Sequence, residues 1–129
     1  MRAIRARALA AALLVVACAR QSPSEHRAAD EARVRELEQQ ARALAKTDGC
    51  DRADQCSAAP MGAKPCGGPQ TYLVYCKATT DEAALLRALD ELKHAEESYN
   101  RSAGIVSDCG ITPQPGVRLE GRTCTAARP

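Results

Sequence analysis

The chain of 129 residues is poor in large apolar side chains, with no Phe or Trp, three Tyr and two Met. It also has little net charge, because 18 Lys and Arg are balanced by 16 Asp and Glu. No apolar run reaches the roughly 20 residues that a membrane-spanning helix needs. These absences exclude a large enzyme, a membrane protein with several spans and a strongly basic nucleic-acid-binding protein. One small domain fits this length.

The N-terminus has the order of a secretory signal. Arg2, Arg5 and Arg7 form a basic segment without acidic residues, and an unbroken apolar run over residues 8–17 follows and ends at Cys18. A basic segment, a short apolar run and then small residues are typical of a signal peptide that is removed from the mature protein. We therefore interpret residues 1–17 as a signal peptide.

The end of this run, Val15-Val16-Ala17-Cys18, resembles the lipobox of bacterial lipoproteins. The resemblance implies that Cys18 is the lipid attachment site and the first residue of the mature chain. Because Ala19 and not Asp follows the cysteine, it also implies the outer membrane, with the domain facing the periplasm. Ordinary secretory cleavage before Arg20 is the alternative, and its product would be soluble in the periplasm or secreted.

Seven cysteines are many for so short a chain. Assigning Cys18 to the lipid leaves an even number that can pair completely. In an oxidising compartment we predict three disulfides. The cysteines that form them are Cys50, Cys56, Cys66, Cys76, Cys109 and Cys124. The turn at residues 112–116 favours pairing of Cys109 with Cys124, and the pairing among Cys50, Cys56, Cys66 and Cys76 is left open.

Other chemistry has weaker signals. The six cysteines contain no Cys-x2-Cys, so we predict neither a zinc site nor thiol catalysis, and we expect no metal and no cofactor. Asp90 and His94 lie four residues apart on a predicted helix, which is typical of a solvated surface pair. Gly67-Gly68 precedes a strand, so a turn explains it better than a phosphate cradle. The sequence has no basic patch with interleaved aromatic residues, so we expect no nucleic-acid partner.

The pattern of apolar residues predicts an α+β fold, a small disulfide-stapled domain with two amphipathic helices and a short antiparallel sheet. After a lipidated tether of residues 18–23, residues 24–46 form an amphipathic helix or stalk with Ser24 as N-cap. Its apolar stripe is narrow. The stripe consists of Val34, Leu37, Ala41 and Leu44. Residues 47–129 form the cysteine-rich α+β domain.

The second helix is expected to be the centre of the core. Thr79–Glu82 has the form of a capping box, which predicts a helix over 81–101. Its wider stripe consists of Leu85, Leu86, Leu89, Leu92 and Tyr99. Strands are predicted at 71–77 and at 105–109, and residues 117–125 form a last strand or a hairpin. The stretch 48–70 is rich in turn-forming residues and is predicted to be irregular.

The spacing Cys50-x5-Cys56-x9-Cys66-Gly67-Gly68-Pro69, with the strand after it, is similar to that of small cysteine-rich exported proteins of Gram-negative bacteria. The chain departs from that group at Cys76, where its members have Ser, and at Val117-Arg118, near which they have a further Cys. Members of the group have no assigned activity, so the resemblance implies no catalytic residue.

We therefore expect a membrane-anchored lipoprotein of the cell envelope with a binding or structural role, and not an enzyme. Its expected partners are the membrane, through the lipid on Cys18, and an unknown envelope protein. The alternative is an inhibitor of an envelope protease that presents residues 61–65 as a contact loop. An enzyme is the third interpretation.

Overall fold

The computed structural model describes residues 22–127, so the predictions for the signal peptide and for Cys18 lie outside the described residues. Two packed helices and two antiparallel two-stranded sheets, joined by three disulfides, confirm the predicted α+β class. The elements are α1 (Pro23–Leu44), a 3-10 turn (Ala53–Gln55), β1 (Cys56–Met61), β2 (Thr71–Cys76), α2 (Glu82–Ala103), β3 (Val117–Glu120) and β4 (Thr123–Ala126). Among these elements, no helix is both long and apolar enough to cross a membrane.

Helix α1 begins two residues earlier than predicted, because its N-cap is Ser22 and not Ser24. The Ser22 side chain accepts from the Glu25 backbone N–H at 3.3 Å, and the Glu25 carboxylate accepts from the Ser22 N–H at 2.6 Å. Pro23, which we had placed in the tether, fits the first helical position because proline there lacks only an N–H that the helix leaves unbonded. The helix also ends earlier, at Leu44.

The apolar stripe of α1 is confirmed. Leu37 and Ala41 are buried, Val34 and Leu44 are partly buried, and every residue from Pro23 to Arg33 is exposed. The ion pairs Glu31–Arg35 and Glu38–Arg42, each four residues apart, lie on the outer face. Only the second half of α1 therefore packs on the domain.

Helix α2 is capped by Asp81, whose side chain accepts from the Ala84 N–H at 2.9 Å. The predicted capping box with Thr79 is wrong. Thr79 instead donates to the Asp48 carbonyl oxygen at 2.7 Å, and the Glu82 carboxylate accepts from the Tyr75 hydroxyl. Because Thr79 and Glu82 make these tertiary contacts, they do not cap the helix, and the side chain of Asp81 is the N-cap acceptor instead. The helix ends at Gly104, which has the left-handed conformation usual for a C-cap.

The first sheet contains a strand that we did not predict. The stretch 48–70 is not irregular throughout, because β1 pairs antiparallel with β2 from Cys56↔Cys76 to Met61↔Thr71. Small residues and Pro60 hide the period-2 signal of β1. Proline is tolerated there because a strand in a two-stranded sheet has a free edge. Ala59 and Met61 of β1 face the core.

The second sheet is the hairpin that we considered for the C-terminal segment. Strands β3 and β4 pair from Val117↔Ala126 to Glu120↔Thr123. The strand predicted at 105–109 is wrong, because these residues have no regular structure. Ile105 and Val106 favour a strand locally, but neither sheet extends to them, and Cys109 has a positive φ of 55°. Strand propensity without a pairing partner does not form a strand.

The helices run antiparallel. The end of α1 lies near the start of α2, since the Lys46 N–H donates to Thr80 Oγ1 at 3.0 Å. The core lies where both helices pack on the first sheet. Its buried residues are Leu37, Ala41, Ala59, Met61, Tyr75, Leu85, Leu89 and Leu92. Leu86, which we assigned to the α2 stripe, is 48% exposed and lies outside this core.

Candidate functional site: an apolar groove and a cysteine cluster

The three predicted disulfides are present, but the expected pair Cys109–Cys124 is wrong. The bonds are Cys50–Cys76, Cys56–Cys124 and Cys66–Cys109. The turn between Cys109 and Cys124 does reverse the chain. However, β4 then packs beside the first sheet and brings Cys124 to Cys56, while Cys109 stays near the end of α2. The pairing depends on packing between elements that are distant in the sequence.

Four of these cysteines form a buried cluster, which we call the cysteine cluster: Cys50, Cys56, Cys76 and Cys124. The sulfur atoms of Cys50, Cys76 and Cys124 all lie within 4.8 Å of one another. Val74, Val117 and Leu119 pack against the cluster. It is a second small core that joins the two sheets.

The segment after α1 positions this cluster through backbone hydrogen bonds. The Cys76 N–H donates to the Lys46 carbonyl oxygen at 2.6 Å, and the Cys124 N–H donates to that of Thr47 at 2.8 Å. The Cys50 N–H donates to the Arg122 carbonyl oxygen at 3.2 Å. Three of the four cysteine backbones are thus held independently of the sulfur–sulfur bonds.

The third disulfide, Cys66–Cys109, holds most of the connection between β1 and β2, and we call its residues 62–69 the 62–69 loop. Within it, the Gly67 N–H donates to the Lys64 carbonyl oxygen and the Lys64 N–H donates to that of Gly68, both at 2.9 Å. Gly67 and Gly68 have φ of +94° and +78°, which side chains rarely allow. The turn interpretation of this glycine pair is confirmed.

The outer face of α2 and the 62–69 loop enclose a groove of about 430 Å³, which we call the α2 groove. Its apolar residues are Pro60, Ala63, Pro69, Leu86 and Leu89. Leu89 and Ala63 are almost fully buried and form its floor, whereas Leu86 is half-exposed at its rim. The volume is within the roughly 300–1,000 Å³ of ligand sites in proteins.

Charged side chains of both signs surround the α2 groove: Lys64, Asp90, Lys93 and Glu97. Lys93 and Glu97 lie 4.0 Å apart. His94 lies 3.6 Å from Asp90 and 3.4 Å from Glu97, and its side chain is 66% exposed. The Asp90–His94 pair is therefore the surface pair that we predicted. Alternating charges fix the orientation of a bound group more than they add to its affinity.

One carboxylate holds the 62–69 loop against α2. Glu96 accepts a hydrogen bond from the Ala63 N–H, and the Asn100 side chain donates to the Ala63 carbonyl oxygen at 2.8 Å. Gly62 has a φ of +76°, and a Cβ there would lie 2.6 Å from Glu96 Oε2, so a side chain would strain the backbone and displace this carboxylate. In the sequence Glu96 interrupts the α2 stripe, and its position opposite the loop explains why a carboxylate is there. The floor of the α2 groove is thus fixed before any ligand binds.

The pKa of Glu96 makes stability depend on pH. Its burial raises the pKa above the ordinary 4.5, the Ala63 N–H lowers it, and the neighbouring Glu38 raises it again. The folded state holds the proton of the Glu96 carboxyl more tightly than the unfolded chain does, so protonation of Glu96 stabilises the fold. This contribution to stability is full below pH 4.5 and is lost as pH rises through the raised pKa.

We expect Glu96→Gln to remove this loss, since Gln can still accept from the Ala63 N–H. The melting temperature of Glu96→Gln relative to wild type should increase as pH rises from 4 to 8, measured by circular dichroism. Exposed Glu91→Gln is the matched control and should give a constant difference. A difference that falls with rising pH for Glu96→Gln would contradict the assignment.

The contact loop that an inhibitor would need has buried residues. Met61 is 3% and Ala63 is 4% exposed, so these side chains face the core and the groove. The inhibitor hypothesis stays a prediction, but residues 61–65 do not form a protruding loop. The protruding apolar residues lie instead after α2, where Val106 and Ile111 are about nine-tenths exposed and Ile105 is half as exposed. Apart from the strand pattern that proved wrong, nothing in the sequence indicates this exposed apolar segment.

Ile105 also lines a second depression of about 500 Å³ with Lys64, Gly67 and Glu97. The α2 groove is also lined by Lys64, Gly67 and Glu97, so the two cavities adjoin. Together they make an elongated surface along α2.

Comparison with protein-family models, with curated proteins and with solved structures found no match to this chain.

Proposed function

We propose that the protein is a lipid-anchored binding protein of the bacterial cell envelope, in which the α2 groove receives apolar side chains of a partner protein. The observation that carries the binding role is the groove itself, an apolar cavity of about 430 Å³ whose floor is held by buried contacts. A preformed site loses little conformational entropy on binding. Three disulfides support an oxidising compartment for the folded domain.

The shape of this surface favours a polypeptide over a small molecule. The α2 groove is open along the helix and adjoins the second depression beside Ile105. Half-exposed Leu86 adds an apolar contact at the rim, which a polypeptide segment lying along the helix would cover. Charges of both signs along α2 suit a partner segment that alternates acidic and basic residues around its apolar side chains.

The anchor is tested through Cys18. Wild type grown with labelled palmitate should carry the label and sediment with membranes, whereas Cys18→Ala should be unlabelled and remain in the soluble fraction. Each buried CH₂ contributes roughly 0.8 kcal/mol, so two acyl chains suffice for stable attachment. Unlabelled wild type that begins at Arg20 would instead establish the alternative, a soluble protein.

The groove is tested by photo-crosslinking in intact envelopes. A crosslinking amino acid at Leu86 or at Pro69, on opposite sides of the α2 groove, should give the same single adduct. The neighbouring position Arg87 is exposed and does not line the groove, so it should give none.

Once the partner is identified and purified, Leu86→Asp should weaken its binding at least tenfold in calorimetry. That loss corresponds to about 1.4 kcal/mol. Equal adducts at Arg87 and Leu86, or unchanged affinity in Leu86→Asp, would exclude the groove as the binding site. Neither result depends on the outcome for Cys18.

A further inference from the structure

The cysteine cluster brings three buried sulfur atoms close together, with a fourth bonded to one of them, although the spacing of these residues along the chain is unlike that of a zinc-binding motif. The sulfurs of Cys50, Cys76 and Cys124 are mutually within 4.8 Å, and the sulfur of Cys56 is bonded to that of Cys124. Cys56 also lies directly opposite Cys76 in the register of the first sheet. The fold therefore supplies a proximity that the sequence does not reveal.

We propose that the cysteine cluster, when its two disulfides are reduced, is a four-thiolate zinc site. In a tetrahedral site with Zn–S bonds of about 2.3 Å, the sulfurs lie about 3.8 Å apart. Three sulfurs already lie within 4.8 Å of one another and the fourth, that of Cys56, is bonded to one of them, so rotation about Cα–Cβ after reduction is the movement that this geometry requires. A tetrahedral set of four sulfurs selects zinc among divalent cations.

Backbone hydrogen bonds hold three of the four cysteines of the cluster in addition to the disulfides. The Cys50, Cys76 and Cys124 N–H groups donate to the carbonyl oxygens of residues 122, 46 and 47 respectively, and none of these bonds involves a sulfur atom. Val74, Val117 and Leu119 cover the cluster and keep water from the sulfurs. A dry, hydrogen-bonded surround stabilises a metal–thiolate centre against exchange.

The two states interconvert by a balanced reaction. Two molecules of a dithiol reduce the two disulfides, each transferring two electrons and two protons, and leave as cyclic disulfides. The four cysteine thiols then bind one Zn²⁺ and release four protons. In reverse, two molecules of a disulfide oxidant accept four electrons from the four thiolates, the two protein disulfides form, and Zn²⁺ leaves.

The third disulfide is an internal control. Cys66 and Cys109 are exposed and bonded only to each other, and in the part of the chain that the structure describes they belong to no group of three possible metal ligands. Reduction of this pair should create no zinc site. The proposal therefore distinguishes four cysteines from the remaining two.

The experiment uses the full chain with Cys18→Ala, so that the cysteine predicted to carry the lipid contributes no ligand. The protein is reduced with dithiothreitol, incubated anaerobically with zinc sulfate and desalted. We expect one zinc per chain by mass spectrometry, and X-ray absorption should count four sulfur ligands. The loaded protein should unfold cooperatively, and a chelator should abolish that transition. The oxidised protein should bind no zinc.

Variants locate the ligands. Cys66→Ala with Cys109→Ala should retain one zinc with unchanged affinity, whereas Cys56→Ala should lower the affinity at least tenfold. Fewer than four sulfurs in the absorption spectrum, or equal losses in the two variants, would overturn the proposal. Because the sulfur count can be repeated on the Cys66→Ala, Cys109→Ala variant, whose cysteines are those of the cluster alone, it decides the matter even if Cys56→Ala does not fold.

Discussion

Truncation of Leu92 to alanine is expected to lower the free energy of unfolding by about 2–5 kcal/mol, the range for a fully buried leucine. Its side chain is completely inaccessible, at the contact between the two helices and the first sheet. A small domain has only about 5–15 kcal/mol in total, so the melting temperature should fall markedly even with all disulfides intact. Urea denaturation monitored by circular dichroism measures the change.

Leu86 is the matched control for Leu92, since it is a leucine on the same helix and is 48% exposed. We expect Leu86→Ala to cost less than about 1 kcal/mol, as surface substitutions usually do. Equal losses in the two variants would mean that the α2 groove is covered in solution and that Leu86 belongs to an interface.

Helix α2 supplies three buried leucines of the core and α1 supplies one, but burial does not rank the single leucines as the apolar stripes do. We expected α2 to dominate because its stripe is wider, yet Leu37 of α1 is 2% exposed and Leu89 of α2 is 5% exposed. A narrow stripe can be as deeply buried as a wide one when its few large residues all face the partner helix. Leu37→Ala should therefore cost as much as Leu89→Ala, within about 1 kcal/mol.

Removal of the Cys56–Cys124 disulfide, by alanine at both positions, is the second large expected effect. The bond closes a loop with a sequence separation of 68, and the chain-entropy relation assigns such a loop about 4 kcal/mol of stabilisation. Both cysteines are buried, so the substitution also loses packing in the cluster. We expect a protein close to the limit of stability at 37 °C, measured by denaturant midpoint.

Removal of the Cys66–Cys109 disulfide is the comparison that isolates how much packing in the cysteine cluster contributes to stability. Its sequence separation of 43 gives almost the same entropy in that relation, about 4 kcal/mol, but both cysteines are exposed. The Cys56–Cys124 variant should therefore be the less stable of the two. Loss of Cys66–Cys109 should also free the 62–69 loop, which hydrogen exchange at Ala63 and Lys64 would detect. The reverse order of stability would show that the loop, and not the cluster, holds the domain together.

Local patterns in the sequence predicted the elements whose stability is local. The 3.6-residue spacing of Leu37 and Ala41 in α1, and of Leu85, Leu89 and Leu92 in α2, required one buried face, and that face is buried. The parity of the cysteines predicted three disulfides. Strand β2 was predicted because its alternating β-branched and aromatic residues need no distant partner to be recognised.

What could not be predicted depends on contacts between distant segments. Strand β1 consists mainly of small residues, and it is a strand because β2 and the Cys56 disulfide hold it there. The α2 groove exists because Glu96 and Cys109 hold the 62–69 loop, and nothing near Cys66 in the sequence indicates either contact. The pairing of the cysteines follows from the same long-range packing.

The disulfide connectivity has a consequence for the order of synthesis. Numbered along the chain, the first of the six paired cysteines joins the fourth, the second joins the sixth and the third joins the fifth. No bond joins neighbours, so an oxidant that couples cysteines as they emerge produces wrong pairs among 15 possible arrangements.

The first hairpin adds to the difficulty, because its register places Cys56 beside Cys76, which is not its final partner. Cys56 must wait for Cys124, which follows it in the chain at a sequence separation of 68. Efficient maturation in the cell therefore calls for an isomerase that reopens early bonds by thiolate attack, and cells that have only an oxidase should accumulate trapped isomers.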